Sequence, residues 1–311
     1  LNACNAINSG RYDLVLVGGV EKMTDRWDKI RDDLMLLEDP WSYYAGCTPE
    51  ANHELMLREY IKQYKIAGSQ LETFNTALAE IAVKNHRNAL QNECAQYRRE
   101  ITVETVMKER QKAHKPLGLY DFAPVSDGAT ALIFASPETA GKLKAKRVYV
   151  SGSASATDYV TYPARDDRTG FTAATLAMKN ALKMAKITTN DIQIAELYDQ
   201  STFLEMISLE DLGFSKHGTA WQDIAESCRD VQNCYQVEGK RLFVNTDGGL
   251  KADGNPLGAT GGAQVYEAVK QLNGEAGSRQ VKADGDLQFG CVLELEGFGT
   301  KAYIHILRRG D

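Results

Sequence analysis

Apolar positions along the chain follow two periods that alternate with each other. Asp13-Leu-Val-Leu-Val-Gly-Gly19 is an uninterrupted apolar run, which predicts a strand buried on both faces. Before it, Asn2 to Ser9 followed by Gly10 has the spacing of a helix ended by a glycine C-cap. From Met23 to about Gly118 polar residues dominate, and apolar ones recur in steps of three and four. That predicts helices over 50–65 and 69–90, the second opened by a capping box of Ser69 and Glu72, and a short helix over 101–108. Beyond it the pattern changes. Val125–Ser136 starts at a glycine and then reads as a strand, and Val148–Ser151 opens a second series. Thr169–Lys186 is an amphipathic helix, Ile192–Leu197 a buried strand, and Ser201–Leu212 a helix ended by Gly213. Leu242–Val244 reads as a short buried strand, and Ala263, Val265, Ala268, Val269 and Leu272 as one face of a helix. A hairpin about Gly297-Phe-Gly299 joins 287–295 to 300–307. Strands and helices that alternate and close in an antiparallel pair predict an α/β layered fold.

Composition narrows the function classes. A chain of 311 residues, 43% hydrophobic and 25% charged, buries a large core as one big domain or two ordinary ones. Its net charge of −6 argues against nucleic acid as a partner. No apolar run approaches the roughly 20 residues that span a bilayer, and no signal peptide is visible. Cys4, Cys47, Cys94, Cys228, Cys234 and Cys291 are scattered without a Cys-x-x-Cys, so neither a metal site nor a disulfide framework is read from them, and a reducing cytoplasm is expected. His53, His86 and His114 have no metal-ligand spacing and are expected to be structural. Cys4, in mid-helix, is expected to be a buried structural thiol.

Between the strand at 242–244 and the helix that follows lies Asn245-Thr-Asp-Gly-Gly-Leu-Lys-Ala-Asp-Gly-Asn-Pro-Leu-Gly-Ala-Thr-Gly-Gly262. Its glycines permit a tight loop, and Pro256 biases Asn255 toward an extended conformation at the bend. Such a turn offers backbone N–H groups and one aimed side chain to an oxygen-rich ligand. It is neither a Walker loop nor a dinucleotide fingerprint. The string resembles the Asn-x-x-Gly-Gly…Gly-His-Pro-x-Gly-Ala-(Thr/Ser)-Gly block of the thiolase superfamily, in its sterol-carrier-protein-like and archaeal branch. Three further stretches are similar to the same family: Ile7–Met23, Ala82–Asn88 and the Asp-Gly-Ala strand at 127–129.

The resemblance implies a five-layered αβαβα thiolase fold built from two similar halves. Residues 1–145 would be the remainder of the first half, with a helical loop domain at about 24–118, and 146–311 the second half. It implies acyl-CoA thiolase-type chemistry, making or cleaving a carbon–carbon bond next to a thioester, with coenzyme A as substrate and no tightly bound cofactor. The family's nucleophilic cysteine would fall about eight residues before Leu1, which is not a methionine, so the natural protein is expected to extend upstream. Coenzyme A is assigned to the loop domain, to Ser153 in the 152–159 segment, and to Gly254 and Gly258 of the glycine string. A homodimer is expected, and a small zinc-ribbon and OB-fold partner subunit accompanies the divergent branches.

The chemistry departs from the family at each recognisable loop. Where the family has Gly-His-Pro, this chain has Gly254-Asn255-Pro256. An amide cannot take a thiol proton, so Asn255 either supports an oxyanion as a hydrogen-bond donor or is structural. The family's Asn-Glu-Ala-Phe or His-Asp-Cys-Phe loop is Tyr198-Asp199-Gln200-Ser201-Thr202-Phe203. Tyr198 is assigned to the thioester oxygen or a water, or to an acid's role were its pKa lowered, Asp199 to a structural role, and Asp199 and Ser201 are both candidate N-caps. In the last motif the usual base falls on Leu293, with Glu294 or Glu296 as substitutes unless the pair is the wet face of an ordinary strand. Cys291 is expected to be a core thiol and His305 structural. The divergent relatives that this pattern resembles are benzoylsuccinyl-CoA-type thiolases and steroid side-chain aldolases. A retro-aldol enzyme acting on a hydroxyacyl-CoA, or a non-catalytic acyl-CoA-binding subunit, is therefore the alternative.

Overall fold

Helices and strands alternate from the first residues onward in the computed structural model, which describes residues 1–143, 145–227 and 234–310. The first part comprises α1 (Asn2–Asn8), β1 (Leu14–Lys22), α2 (Ile30–Glu38), α3 (Pro40–Tyr44), α4 (Pro49–Gln63), α5 (Ser69–Ala89), α6 (Val103–Ala113), β2 (Asp127–Ala135) and α7 (Pro137–Lys142). The second comprises β3 (Val148–Thr157), α8 (Thr172–Ala185), β4 (Ile194–Glu196), α9 (Thr202–Asp211), α10 (Ala220–Ser227), β5 (Cys234–Val237) and β6 (Lys240–Val244). It closes with α11 (Gly249–Ala252), α12 (Leu257–Asn273), β7 (Phe289–Glu296) and β8 (Lys301–Arg309).

Two sheets sandwich one helix. β1 and β2 pair antiparallel, from Leu14 opposite Ala135 to Lys22 opposite Asp127. The larger sheet runs β3-β8-β7-β4-β6-β5, with β4 parallel to both β6 and β7. Its side chains alternate between two cores, as a pleated strand requires. On one face Val292 and Leu307 pack with Ala268 and Leu272 of α12. On the other, Cys291, Leu293 and Leu295 join the main core with Met178 and Ala181 of α8.

Helix α12 therefore fills the space between the sheets, and glycine sets how closely it approaches the smaller one. A Cβ at Gly19 of β1 would collide with the Gly258 carbonyl oxygen, and one at Gly258 would stand 2.9 Å from the Val20 carbonyl oxygen. Only a strand and a helix that are both bare at this crossing can lie so near. The lower half of the glycine string is thus helix rather than loop: α12 begins at Leu257, six residues before the first position that the apolar period marks.

Other expectations are corrected in detail. β1 is not buried on both faces, since Leu14, Leu16 and Val20 are exposed and only the alternate positions turn toward α12. Continuous apolar character reports suitability for burial, while the partner that covers each face is a tertiary matter. The capping box at Ser69 does not form, because Gly68 is the N-cap and Ser69 is already the first helical residue. Helix α6 runs to Ala113, five residues beyond its expected end. Cys4 is half-buried rather than enclosed, and Cys228 lies outside the described residues. Among the described residues no helix is long and apolar enough to cross a membrane.

The helical segment α2 to α6 rests on the second part. Tyr60 of α4 donates to Glu210 of α9 at 2.6 Å, and Asp121, which pairs with Arg110 of α6, accepts from Thr202 of α9 at 2.7 Å. Because the crossing of β1 and α12 has backbone on both sides, Gly19→Ala is expected to lose about 1–3 kcal/mol of stability, the usual cost of overpacking. Chemical denaturation of the two proteins measures it, and an unchanged midpoint would refute the close-packing account.

Candidate functional site

The loop between β4 and α9 carries Tyr198 and Asp199, and buried hydrogen bonds hold it from three sides. Asp199 accepts from the backbone N–H groups of Leu250 (2.7 Å) and Lys251 (3.1 Å) in α11 and from the Asn85 side chain (2.7 Å) in α5. It caps the glycine turn rather than α9, whose N-cap is Ser201 accepting from the Leu204 N–H. Asn85 and Asn245 both donate to Glu205 at 2.7 Å, Tyr235 donates to the same carboxylate at 2.5 Å, and Lys84 pairs with it at 3.1 Å. Burial, then the charge of Glu205, pushes Asp199 up to about 7.

The turn carrying Asn255 is fixed with equal care. Gly254 sits at φ +129, a torsion that side chains rarely adopt. The Asn255 N–H donates to Ser126 Oγ at 2.9 Å, and that hydroxyl donates to Gln96 at 2.7 Å. Thr260, one turn into α12, donates to Asn255 Oδ1 at 2.8 Å. Occupying the oxygen leaves the amide nitrogen to act as donor, and the Asn255 side chain hydrogen-bonds the Tyr198 hydroxyl.

Both of these residues are buried, and Tyr198 borders a cavity of about 220 Å³ whose walls include Glu38, Gln200, Leu257, Glu294 and Tyr303. Burial first, and then Glu294 whenever it is ionised, pushes the Tyr198 phenol far above its usual range, against the hydrogen bond from Asn255. Tyr198 is a neutral O–H donor across the physiological range. Glu294 projects from the α12 face of β7, with its stem over Gly261, and its Oε2 is shut off from solvent without a hydrogen-bond partner. Desolvation holds its carboxyl well above the usual range, which favours the protonated form. Leu293 points the opposite way, into the α8 core, because neighbouring residues of a strand face opposite sides. Glu296 shares the Glu294 face but is exposed and pairs with Lys301 at 2.9 Å.

The structure thus brings Tyr198, Asn255 and Glu294 together, and separates the residues assigned to coenzyme A. Ser153 Oγ bonds His305 Nδ1 across β3 and β8 at 2.9 Å and is not in the cavity wall. Gly258 serves the helix–strand contact described above, and its N–H donates to Glu21 at 3.3 Å. Gly254 has the torsion of the turn to account for it. These three glycine and serine positions answer local packing and hydrogen bonding, which family spacing alone does not reveal. Cys291 lies in the core, where burial pushes its thiol up to about 12.

Sequence reasoning missed Glu38. It lies in an acidic stretch that reads as a solvated helix, yet it is 3% exposed and lines the cavity. Its one local signal is an acid at the last position of a helix, where the macrodipole disfavours negative charge. His53, also buried, bonds Ser201 at 2.8 Å through Nδ1, and desolvation pushes it down to about 3.

Comparison with known proteins bears on what this arrangement serves. Residues 1–138 match the thiolase N-terminal domain model and residues 154–309 the thiolase C-terminal domain-like model. An acetyl-CoA acetyltransferase of Methanothermobacter thermautotrophicus is 36% identical over 304 residues, 98% of this chain and 75% of the relative. Human sterol carrier protein 2 is 31% identical over 289 residues, 88% of this chain and 50% of that protein. Among solved structures, an Ltp2–ChsH2(DUF35) aldolase is similar with a TM-score of 0.77 at 26% identity, covering 99% of this chain and 75% of that one. The dimeric peroxisomal thiolase of Saccharomyces cerevisiae, at 17% identity and a TM-score of 0.65, shares the fold.

A protonated Glu294 in the folded state has a thermodynamic consequence. The folded carboxyl holds its proton above the range in which the unfolded chain releases it. The stability it contributes is therefore complete in acid and is lost as pH rises. Glu294→Gln is expected to match the parent at about pH 4 and to gain thermal stability over it as pH is raised toward about 8. Melting curves across that range decide the matter; a gap that closes with rising pH would contradict it.

Proposed function

The chain belongs to the thiolase superfamily, and from that premise we propose that it makes or breaks the carbon–carbon bond beside a coenzyme A thioester carbonyl. The proposed reaction is thiolase-type acyl transfer, thiolysis of a β-ketoacyl-CoA or its reverse. The observation that carries this reading is the convergence of Tyr198 and Glu294 on one small cavity, with the Asn255 amide behind the Tyr198 hydroxyl. Cleavage leaves a carbanion at the α-carbon whose charge is shared with the thioester oxygen. Asn255 and Tyr198 are neutral donors suited to that oxygen, and preorganised donors stabilise such charge without reorganising. Glu294 holds a proton for the carbon.

The cavity is smaller than the roughly 300–1,000 Å³ of clefts that take drug-sized ligands. It accommodates the reacting end of a thioester, and the remainder of coenzyme A lies outside it. The attacking thiol is that of coenzyme A or of a nucleophilic cysteine.

A second reading, retro-aldol cleavage of a hydroxyacyl-CoA, is favoured by one specific feature. The residue in the histidine position is Asn255, and among the described residues the cavity wall contains neither a thiol nor an imidazole. The likeness to the Ltp2–ChsH2(DUF35) aldolase, named for two components, supports including a partner subunit in the assay. Homodimer formation is proposed on the strength of the fold shared with a dimeric thiolase.

The test uses the full-length protein, alone and with any co-purifying small subunit, on a panel of β-ketoacyl- and β-hydroxyacyl-CoA esters. Thiolysis with a covalent acyl adduct is the expected result. Release of an aldehyde or ketone without an adduct replaces it by the second reading, and no turnover on either class removes both. Within an active enzyme, Tyr198→Phe is expected to lower kcat by roughly 10²–10³, the usual loss of one oxyanion donor. A variant that keeps its full kcat would assign the phenol to packing.

A further inference from the structure

The cavity has three carboxyl groups in its wall: Glu296 is exposed and paired with Lys301, while Glu38 and Glu294 are more enclosed and differ in kind. Glu294 meets no hydrogen-bond donor at Oε2 and favours its neutral form. Glu38, at the C-terminal end of α2, accepts from Asn52 Nδ2 of α4 at 2.6 Å. The Asn52 amide cannot turn over without loss, because its Oδ1 takes the Cys47 thiol as donor at 3.2 Å. Arg165 also favours the ionised form. It donates its Nε to the Tyr159 carbonyl at 2.9 Å, and its two terminal nitrogens have no hydrogen-bond partner among the described residues. Against ionisation stand burial and the negative charge of Glu50 on α4. Tyr198 and the Cys47 thiol are neutral near pH 7; Glu294, Glu296 and Tyr303 share the cavity wall, and Asp39 is the next residue along the chain. The balance leaves Glu38 raised to about 7.

The reaction needs a proton acceptor as well as a donor. Asn255 has no basic nitrogen, Tyr198 is locked as a neutral phenol, and Glu294 favours its protonated form. We propose that Glu38 is the general base of this cavity, a role resting on the reading above and replacing the imidazole that Asn255 displaces. In the cleavage direction the thiol S–H gives its proton to the Glu38 carboxylate, and sulfur bonds the β-carbonyl carbon. The Cα–Cβ bond then breaks with its electron pair going to the α-carbon, which takes the proton of Glu294. Two proton transfers, one bond formed and one broken leave the sum balanced, with Glu38 protonated and Glu294 ionised until the protons return. Two carboxyls whose environments push their affinities apart are a recurrent acid–base arrangement.

Glu38→Gln in the full-length protein tests this, with the best β-ketoacyl-CoA of the parent as substrate. The loss expected in kcat/KM is roughly 10²–10⁴, the range for a positioned general base. The acid limb of the kcat/KM profile, with its midpoint at about 7 in the parent, disappears. Acyl-CoA affinity stays at the parental value, the melting temperature matches the parent in acid and exceeds it as pH rises through about 7, and Glu38→Asp, which keeps a carboxylate, retains the limb. A Gln variant within about threefold of the parent and with the limb in place overturns the assignment while leaving the site reading intact, since a true base contributes far more. A loss accompanied by an unaltered pH profile overturns it equally, as that marks a structural role. A parent that turns over no thioester fails at the earlier step, before any variant is compared.

Discussion

Burying the Glu205 carboxylate is the constraint to which the rest of this structure answers. It sits fully enclosed in α9, and an unpaired charge there would be prohibitively costly. Lys84 and Asn85 from α5, Asn245 from the turn after β6, and Tyr235 from β5 all converge on it. These partners belong to three segments, so together with α9 satisfying one charge fixes four pieces of chain with respect to each other. Replacing the group with hydrocarbon would leave the partners with nothing to meet. Asn245 additionally accepts from the Leu197 N–H at 2.7 Å, and this joins the carboxylate to the loop that carries Tyr198.

From that centre the order spreads to the cavity. Asp199, bound to the same Asn85, holds α11, and α11 leads into the bend where Gly254 turns and Asn255 is aimed. Helix α12 then starts, held against β1 by the bare crossing of Gly19 and Gly258, and passes Gly261 under Glu294. The helical segment from α2 to α4 completes the wall with Glu38, anchored by Asn52. Polar groups of the site are thus oriented by neighbours that are themselves fixed, which is the condition for electrostatic preorganisation.

The same layering explains how one strand serves two purposes. β7 presents Leu293 to the α8 core and Glu294 to the cavity, so a single residue step separates hydrocarbon packing from chemistry. Half-buried Glu294, whose Oε2 meets no donor, favours its acid form, while Glu38, bonded to Asn52 and near Arg165, becomes ionisable near neutrality. Differences of solvation and hydrogen bonding alone separate the two carboxyls.

Much of the architecture was legible in the residues. The strand–turn–helix about Asn255, the helical segment before Gly118, the Ser201–Leu212 helix and the closing hairpin follow from apolar period and turn chemistry, which are local properties. The motifs likewise indicated Tyr198, Asn255 and the choice between Glu294 and Glu296. The meeting of Tyr198 and Glu294 in one cavity, the place of Asn255 beside Tyr198, and the presence of Glu38 were decided by tertiary structure. So was the fate of Ser153, taken by His305, and of Gly258, taken by β1. The physical reason is that solvation and hydrogen-bond partnership depend on residues distant in sequence: Glu38 meets Asn52, but shares its cavity with Tyr198 and Glu294. Sequence by itself determined which elements form and which residue types could act; only packing determined which of them are dry, paired and facing the same space.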